Sequence, residues 1–158
     1  MKKGFLVGIS LAAGFAGGAV IVGRSMKKLV NLTDKSVDLY KSCYNIAGQW
    51  ITHKQRGVSL EKYFIQKGYH SIAIYGMGKL GSLLYDDLKD SSIEIRYGID
   101  QDPYATYPGL NIINPNDDLE DVDVIVVTPV MAFNGIAKML SEKTDIPLVS
   151  ISEVVYDI

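Results

Sequence analysis

Apolar and polar positions follow three different rhythms along this chain. The first is an unbroken apolar run, Gly4 to Gly23, twenty residues without a charge (GFLVGISLAAGFAGGAVIVG), preceded by Lys2 and Lys3 and followed by Arg24, Lys27 and Lys28. Twenty helical residues span about 30 Å, the thickness of a bilayer's hydrocarbon core. So many glycines would make a poor helix in water, where each interior one costs about 1 kcal/mol relative to alanine. In lipid every backbone group must bond internally, and the helix persists. Residues 1–25 are therefore expected to be a single-pass membrane anchor. A cleaved signal peptide and a buried hairpin are the alternatives. Residues 24–67 carry nine Lys/Arg against three acids, so positive-inside logic places the C-terminal domain in the cytoplasm. Gly4/Gly8 and Gly14/Gly18 are small-residue pairs that would let two such helices approach closely.

The second rhythm is helical. From Arg24 to Lys54 one apolar stripe runs Met26, Val30, Val37, Tyr40, Tyr44, Ala47, Ile51, and a second runs Leu29, Leu32, Leu39, Cys43, Ile46, Trp50. Steps of three and four predict a helix with a wide apolar face, with a possible interruption at Asn31–Asp34, where capping residues cluster. A face this wide needs a partner: the following domain, a second copy, or another protein. Arg56-Gly57 should end the helix. Ser59 is then expected to cap a short helix from Leu60 to Lys67, stopped by Gly68 in the left-handed conformation. Residues 26–68 thus form a helical connector.

The third rhythm fills residues 69–158, where short apolar strands alternate with amphipathic helices. Strands are expected at Ser71–Tyr75, Ile93–Ile99, Leu110–Ile113, Asp123–Val127 and Pro147–Ser150. Helices are expected at Ser82–Lys89 and Ala132–Lys143, with a brief helical turn from Asn114 and a final turn from Ile151. The run Asp123-Val124-Ile125-Val126-Val127 lacks alternation, as in a strand buried on both faces. This order predicts an α/β fold, a small Rossmann-like parallel sheet with helices on both faces, preceded by the transmembrane helix and the connecting helices.

Between the first strand and its helix stands Gly76-Met77-Gly78-Lys79-Leu80-Gly81, a G-x-G-x-x-G turn. In this setting the first glycine permits a tight turn, the second lets a phosphate approach the backbone, and the third lets helix and strand pack closely. The helix start then offers unpaired N–H groups to an anion. Asp100 ends the second strand nineteen residues past Gly81, close to the spacing of an acid that bonds ribose hydroxyls. Such an acid disfavours a 2′-phosphate, and hence NADP relative to NAD. The alternative is that Asp100 only caps the turn Asp100-Gln101-Asp102-Pro103. Thr128 and Pro129 end the fourth strand on the same rim.

Charge divides the chain. Residues 1–68 hold eleven Lys/Arg against three acids, and residues 69–158 five against fifteen. The acidic half would repel a polyphosphate backbone, so no nucleic-acid partner is expected. A lone cysteine, Cys43, excludes an internal disulfide framework and reads as a small hydrophobe. With His53 and His70 it makes no ligand cluster, and no metal site is expected. No catalytic set is evident either. Tyr63 and Lys67 precede the glycine turn, His70 adjoins the wrong end of the first strand, and Asp86-Asp87 and Asp117-Asp118 are neighbours expected on solvated faces.

The segments IAIYGMGKLGSLLYDDLKD, IRYGIDQDP, DVDVIVVTPV and IPLVSISEVV resemble the small Rossmann domains of bacterial surface-polysaccharide systems. These include the nucleotide-sugar-binding N-terminal domains of sugar acyltransferases and domains attached to capsule glycosyltransferases. The resemblance implies that Gly76, Gly78, Gly81 and Asp100 hold a nucleotide or its phosphates, with NAD or a nucleotide-sugar as ligand. No transferase domain accompanies the motif here, so chemistry would lie with a partner. Three functions fit: a membrane-tethered nucleotide-binding module serving a glycan-synthesis enzyme, an NAD-linked enzyme completed by dimerisation or a partner, and a scaffold with a degenerate site. Fold alone does not choose among them.

Overall fold

The computed structural model describes residue 30, residues 33–102 and residues 104–158. By its internal contacts the chain divides into two units, 1–41 and 42–158. The apolar run at 4–23 and the residues Asn31 and Leu32 lie outside the described residues. Among those described, no helix is long and apolar enough to cross a membrane. In the first unit residues 30 and 33–41 are helical and exposed.

The second unit is an α/β body. It opens with α1 (residues 42–55). Then come α2 (Glu61–Lys67), β1 (Ser71–Tyr75), α3 (Lys79–Leu88), β2 (Glu94–Ile99), β3 (Ile112–Ile113), β4 (Val124–Val127), a 3-10 turn (Val130–Ala132), α4 (Phe133–Ser141), β5 (Leu148–Ser150) and α5 (Ile151–Tyr156). The strands form one sheet in the order β3-β2-β1-β4-β5, and every pairing is parallel. β1 is central, and the chain reverses its winding between β1 and β4. In open α/β sheets that reversal marks where ligands sit, beyond the carboxyl ends of the strands.

The period-two geometry of the strands sorts the core into two layers. Ile72 and Ile74 of β1, with Val124 and Val126 of β4, pack under α1, α2, α3 and α5. Ala73 and Tyr75, with Ile125 and Val127, face Ile136 and Leu140 of α4 on the other side. All four residues of β4 are buried, as their unbroken apolar run predicts.

Several boundaries move inward from the sequence reading. β3 keeps only two residues of the expected four, because Leu110 instead closes a turn on Tyr107. The expected helical turn after Asn114 is a turn whose Asn114 N–H is taken by Asp117. At the start of α2 it is Leu60 that occupies the cap position, while the Ser59 hydroxyl accepts the Glu61 N–H at 3.2 Å. Gly68 does stop α2 with φ of 75°, the position where a side chain would be strained. α3 starts three residues earlier than expected, at Lys79, which draws the second half of the glycine motif into the helix.

Of the two stripes on the connector, the second supplies the inner face of α1. Ile46 and Trp50 are buried in the core and Cys43 packs at its edge. Tyr44 and Ile51 of the first stripe are exposed. The packing of α1 on α3 overturns the expectation of a solvated Asp86-Asp87 face. Asp86 is half-exposed, but the Asp87 side chain retains only 4% of its exposure and forms an ion pair with Lys54. Its other oxygen accepts the Trp50 indole N–H at 3.0 Å. A buried carboxylate so partnered avoids the several kcal/mol that an unpaired one costs.

Candidate functional site

Gly76 leaves β1 with φ of 88°. A Cβ there would lie 2.8 Å from the Pro129 ring and 2.9 Å from the Thr128 hydroxyl. Only glycine satisfies both the backbone conformation and the space. The Thr128 hydroxyl, buried at the end of β4, donates to the Gly76 carbonyl at 2.6 Å. The Gly76 N–H donates to the Ile99 carbonyl at 2.7 Å. Three strand ends thus fix the first glycine.

Gly81 is fixed more severely. A Cβ on it would sit 2.1 Å from the Gly76 carbonyl oxygen, so the first turn of α3 is pressed against the end of β1. Gly78 is the opposite case. Its φ of −66° suits any residue, and it stands at the helix cap position with no side chain capping it. A Cβ built there meets nothing within 4 Å. Gly76 and Gly81 are therefore required by the protein's own packing, whereas the space over Gly78 is open.

α3 begins beside that space with no acidic residue in its first turn. The first N–H groups of a helix lack intrahelical acceptors and carry the positive end of its dipole. Lys79, the first helical residue, is exposed, and Leu80 is buried beneath it. The Ser82 hydroxyl reaches back to the Met77 carbonyl at 3.2 Å, which braces the turn from the helix side.

Asp100 lies beside the turn, but its carboxylate faces protein first. One oxygen accepts the Met77 N–H at 2.7 Å, and the other accepts the Asp102 N–H at 2.9 Å. It therefore caps its own loop, the alternative raised by the sequence, and clamps the glycine turn to the end of β2. A carboxylate offers about four acceptor positions, so two backbone bonds leave it capacity for hydroxyl donors. Its negative charge beside Met77 also means that an anion would meet the amides after Met77 rather than that of Met77 itself.

The structure thus gathers Gly76, Met77, Gly78, Lys79, Leu80, Gly81, Asp100, Thr128 and Pro129 at the carboxyl ends of the three central strands. Thr128 and Pro129 hold Gly76, while Gly78 and the start of α3 face open space. Sequence reasoning passed over Gly98, where a Cβ would lie 2.6 Å from Ile112 and 3.1 Å from the Met77 side chain. It lets β3 close on β2 and gives Met77 a bed. Its signal was visible as a glycine two residues before Asp100.

The other groups considered as chemistry are structural. The Tyr63 hydroxyl donates to Glu153 at 2.8 Å, and burial together with that carboxylate pushes its pKa well above the ordinary phenol value. The Lys67 ammonium lies 5.5 Å over the Tyr63 ring. His70 gives its backbone N–H to Asp123 at the amino end of the sheet. Among the described residues no three His, Cys, Asp or Glu side chains group as metal ligands. No family model matches the chain, and no curated protein or solved structure matches it.

Proposed function

We propose that this protein is a membrane-anchored binding module whose glycine turn holds the phosphates of a nucleotide-type ligand, NAD or a nucleotide-sugar, in the service of a glycan-synthesis enzyme. The observation that carries the reading is the open space over Gly78 in front of an uncapped helix start. It lies beyond the carboxyl ends of the strands, where parallel α/β folds bind ligands. Asp100 supports an unphosphorylated ribose, since a second phosphate would meet its carboxylate. Lys79 adds a cation at the mouth. The glycan context rests on the resemblance to polysaccharide-system domains, and the anchor on residues 4–23. With the C-terminal domain on the cytoplasmic side, soluble nucleotides reach the site directly.

A second reading, a scaffold with a degenerate site, is favoured by one contact: Asp100 already occupies the Met77 amide. Calorimetry of the full chain in mild detergent, with NAD, a UDP-sugar and coenzyme A in turn, separates the two. Binding of one nucleotide without turnover is the expected result. A ligand at one hundred times its Kd should also raise stability by about 2.7 kcal/mol. Gly78→Val should abolish the heat of binding and leave the unfolding transition of the free protein in place. Absence of heat with every nucleotide, or undiminished binding by Gly78→Val, overturns the proposal.

A further inference from the structure

The half-buried Asp100 carboxylate is held by two backbone amides, the Met77 N–H at 2.7 Å and the Asp102 N–H at 2.9 Å. With both oxygens bonded, its negative charge is fixed beside the glycine turn. From this placement we infer that Asp100 sets the ligand class of the turn by charge. Diphosphate diesters, with about two negative charges, are accepted; free nucleoside di- and triphosphates, with about three and four, are rejected. The inference rests on the proposed reading of the turn as a phosphate site and narrows it.

Distance supplies the first reason. The Met77 amide is already taken, so ligand oxygens meet the amides that follow it. Consecutive residues are less than about 4 Å apart along the chain. A phosphate oxygen on the Gly78 N–H therefore lies within about 9 Å of the Asp100 carboxylate. At that distance each further negative charge weakens binding about twofold at the dielectric constant of water, and about twentyfold at the effective value of 20 that applies near protein surfaces. Half-burial of Asp100 sets the effect between these limits.

The charge count at the strand ends supplies the second. The segments that follow the three central strands, 76–81, 100–110 and 128–132, contain one basic residue, Lys79, against Asp100 and Asp102. Lys79 and Asp102 are exposed. The Asp102 carboxylate is also fixed, accepting the Tyr104 N–H at 3.0 Å. Lys79 shares its field with Asp86, two turns along α3. The start of α3 adds about half a positive charge. Two carboxylates offset this, and the rim has no surplus of positive charge to hold the four negative charges of a triphosphate.

The test is calorimetry of the full chain in mild detergent with EDTA, using two series of probes: NAD, ADP and ATP, and UDP-glucose, UDP and UTP. In the wild type, affinity should fall along each series that binds. Asp100→Asn keeps an oxygen acceptor for the Met77 N–H and removes the charge. It should shrink the ratio of diester to triphosphate affinity at least threefold. Glu94→Gln removes an equal charge at the other end of β2, about 20 Å away and beyond the Debye length of about 8 Å at physiological salt. It should leave that ratio unchanged. Raising the salt concentration should shrink the ratio in the wild type itself, because screening relieves the repulsion. The inference is overturned if the wild type binds triphosphate as tightly as diester, if Asp100→Asn changes every affinity by the same factor, if Glu94→Gln shrinks the ratio as much as Asp100→Asn, or if the ratio grows with salt. Any of these results with a nucleotide bound leaves the turn's assignment as a phosphate site standing. No heat with any of the six probes overturns both.

Discussion

At the scale of single residues, the three glycines of the turn separate into two kinds. Gly81→Ala places a methyl carbon against a carbonyl oxygen that it cannot displace without moving β1 or α3. Overpacking of this sort costs on the order of 1–3 kcal/mol or more, and chemical denaturation should show the loss with or without ligand. Gly78→Ala has no such contact and should leave the midpoint close to its starting value. The spacing of the three glycines and their division, the first and third for turn and packing and the second for open backbone, were legible in the sequence; the partners that enforce the division were not. Those partners are Pro129 and Thr128, more than fifty residues from Gly76, and the Gly76 carbonyl against which α3 is pressed.

Two carboxylates near the surface, Asp123 and Glu61, also work at this scale. Backbone N–H groups of His70 and Ser71 donate to Asp123 and hold its pKa below the ordinary aspartate value. The Ser92 hydroxyl and N–H do the same for Glu61. A depressed folded-state pKa contributes stability that is present above the unfolded value, near 4, and lost as pH falls through the folded value. Unfolding free energy should therefore decline as pH drops below about 4. Asp123→Asn keeps an acceptor but cannot titrate. It should flatten part of that decline in a urea series at several pH values; an unchanged slope contradicts the assignment.

At the scale of elements, α1 shows what periodicity can and cannot decide. Two apolar stripes were visible, and either could have faced the sheet. Packing selects the one containing Ile46 and Trp50, because Trp50 both fills the core and brings an N–H to Asp87. Trp50→Ala removes a large buried ring, a change worth about 3–5 kcal/mol, and withdraws a donor from a buried carboxylate. Trp50→Phe keeps most of the volume and loses only the donor. Comparing their denaturation midpoints should therefore rank wild type above Phe and Phe above Ala. Equal midpoints for all three would mean that α1 is not part of the folded body. The same contact explains why the Asp86-Asp87 pair misled: adjacent residues on a helix do point apart, and here one points under α1.

At the scale of the whole molecule, the parallel sheet and its two helix layers were readable from local signals, whereas the spatial order β3-β2-β1-β4-β5 was not. Apolar runs such as Val124–Val127 marked buried strands, and the alternation with amphipathic helices implied parallel pairing. Long-range ties were not readable. Asp100 lies twenty-three residues from Met77, and only the sheet order brings the end of β2 alongside the turn after β1. This tie also shapes the functional claim. Asp100 takes the first amide of the turn, so ligand oxygens have the amides that follow it.

An amide-resolved NMR titration addresses that claim most directly. The labelled full chain in detergent would be titrated with a UDP-sugar and with NAD. The account predicts saturable shifts concentrated on the Gly78, Lys79 and Leu80 N–H signals, with Met77 nearly unmoved because Asp100 retains it. Shifts confined to other parts of the molecule, or no saturable change with either nucleotide, would contradict it.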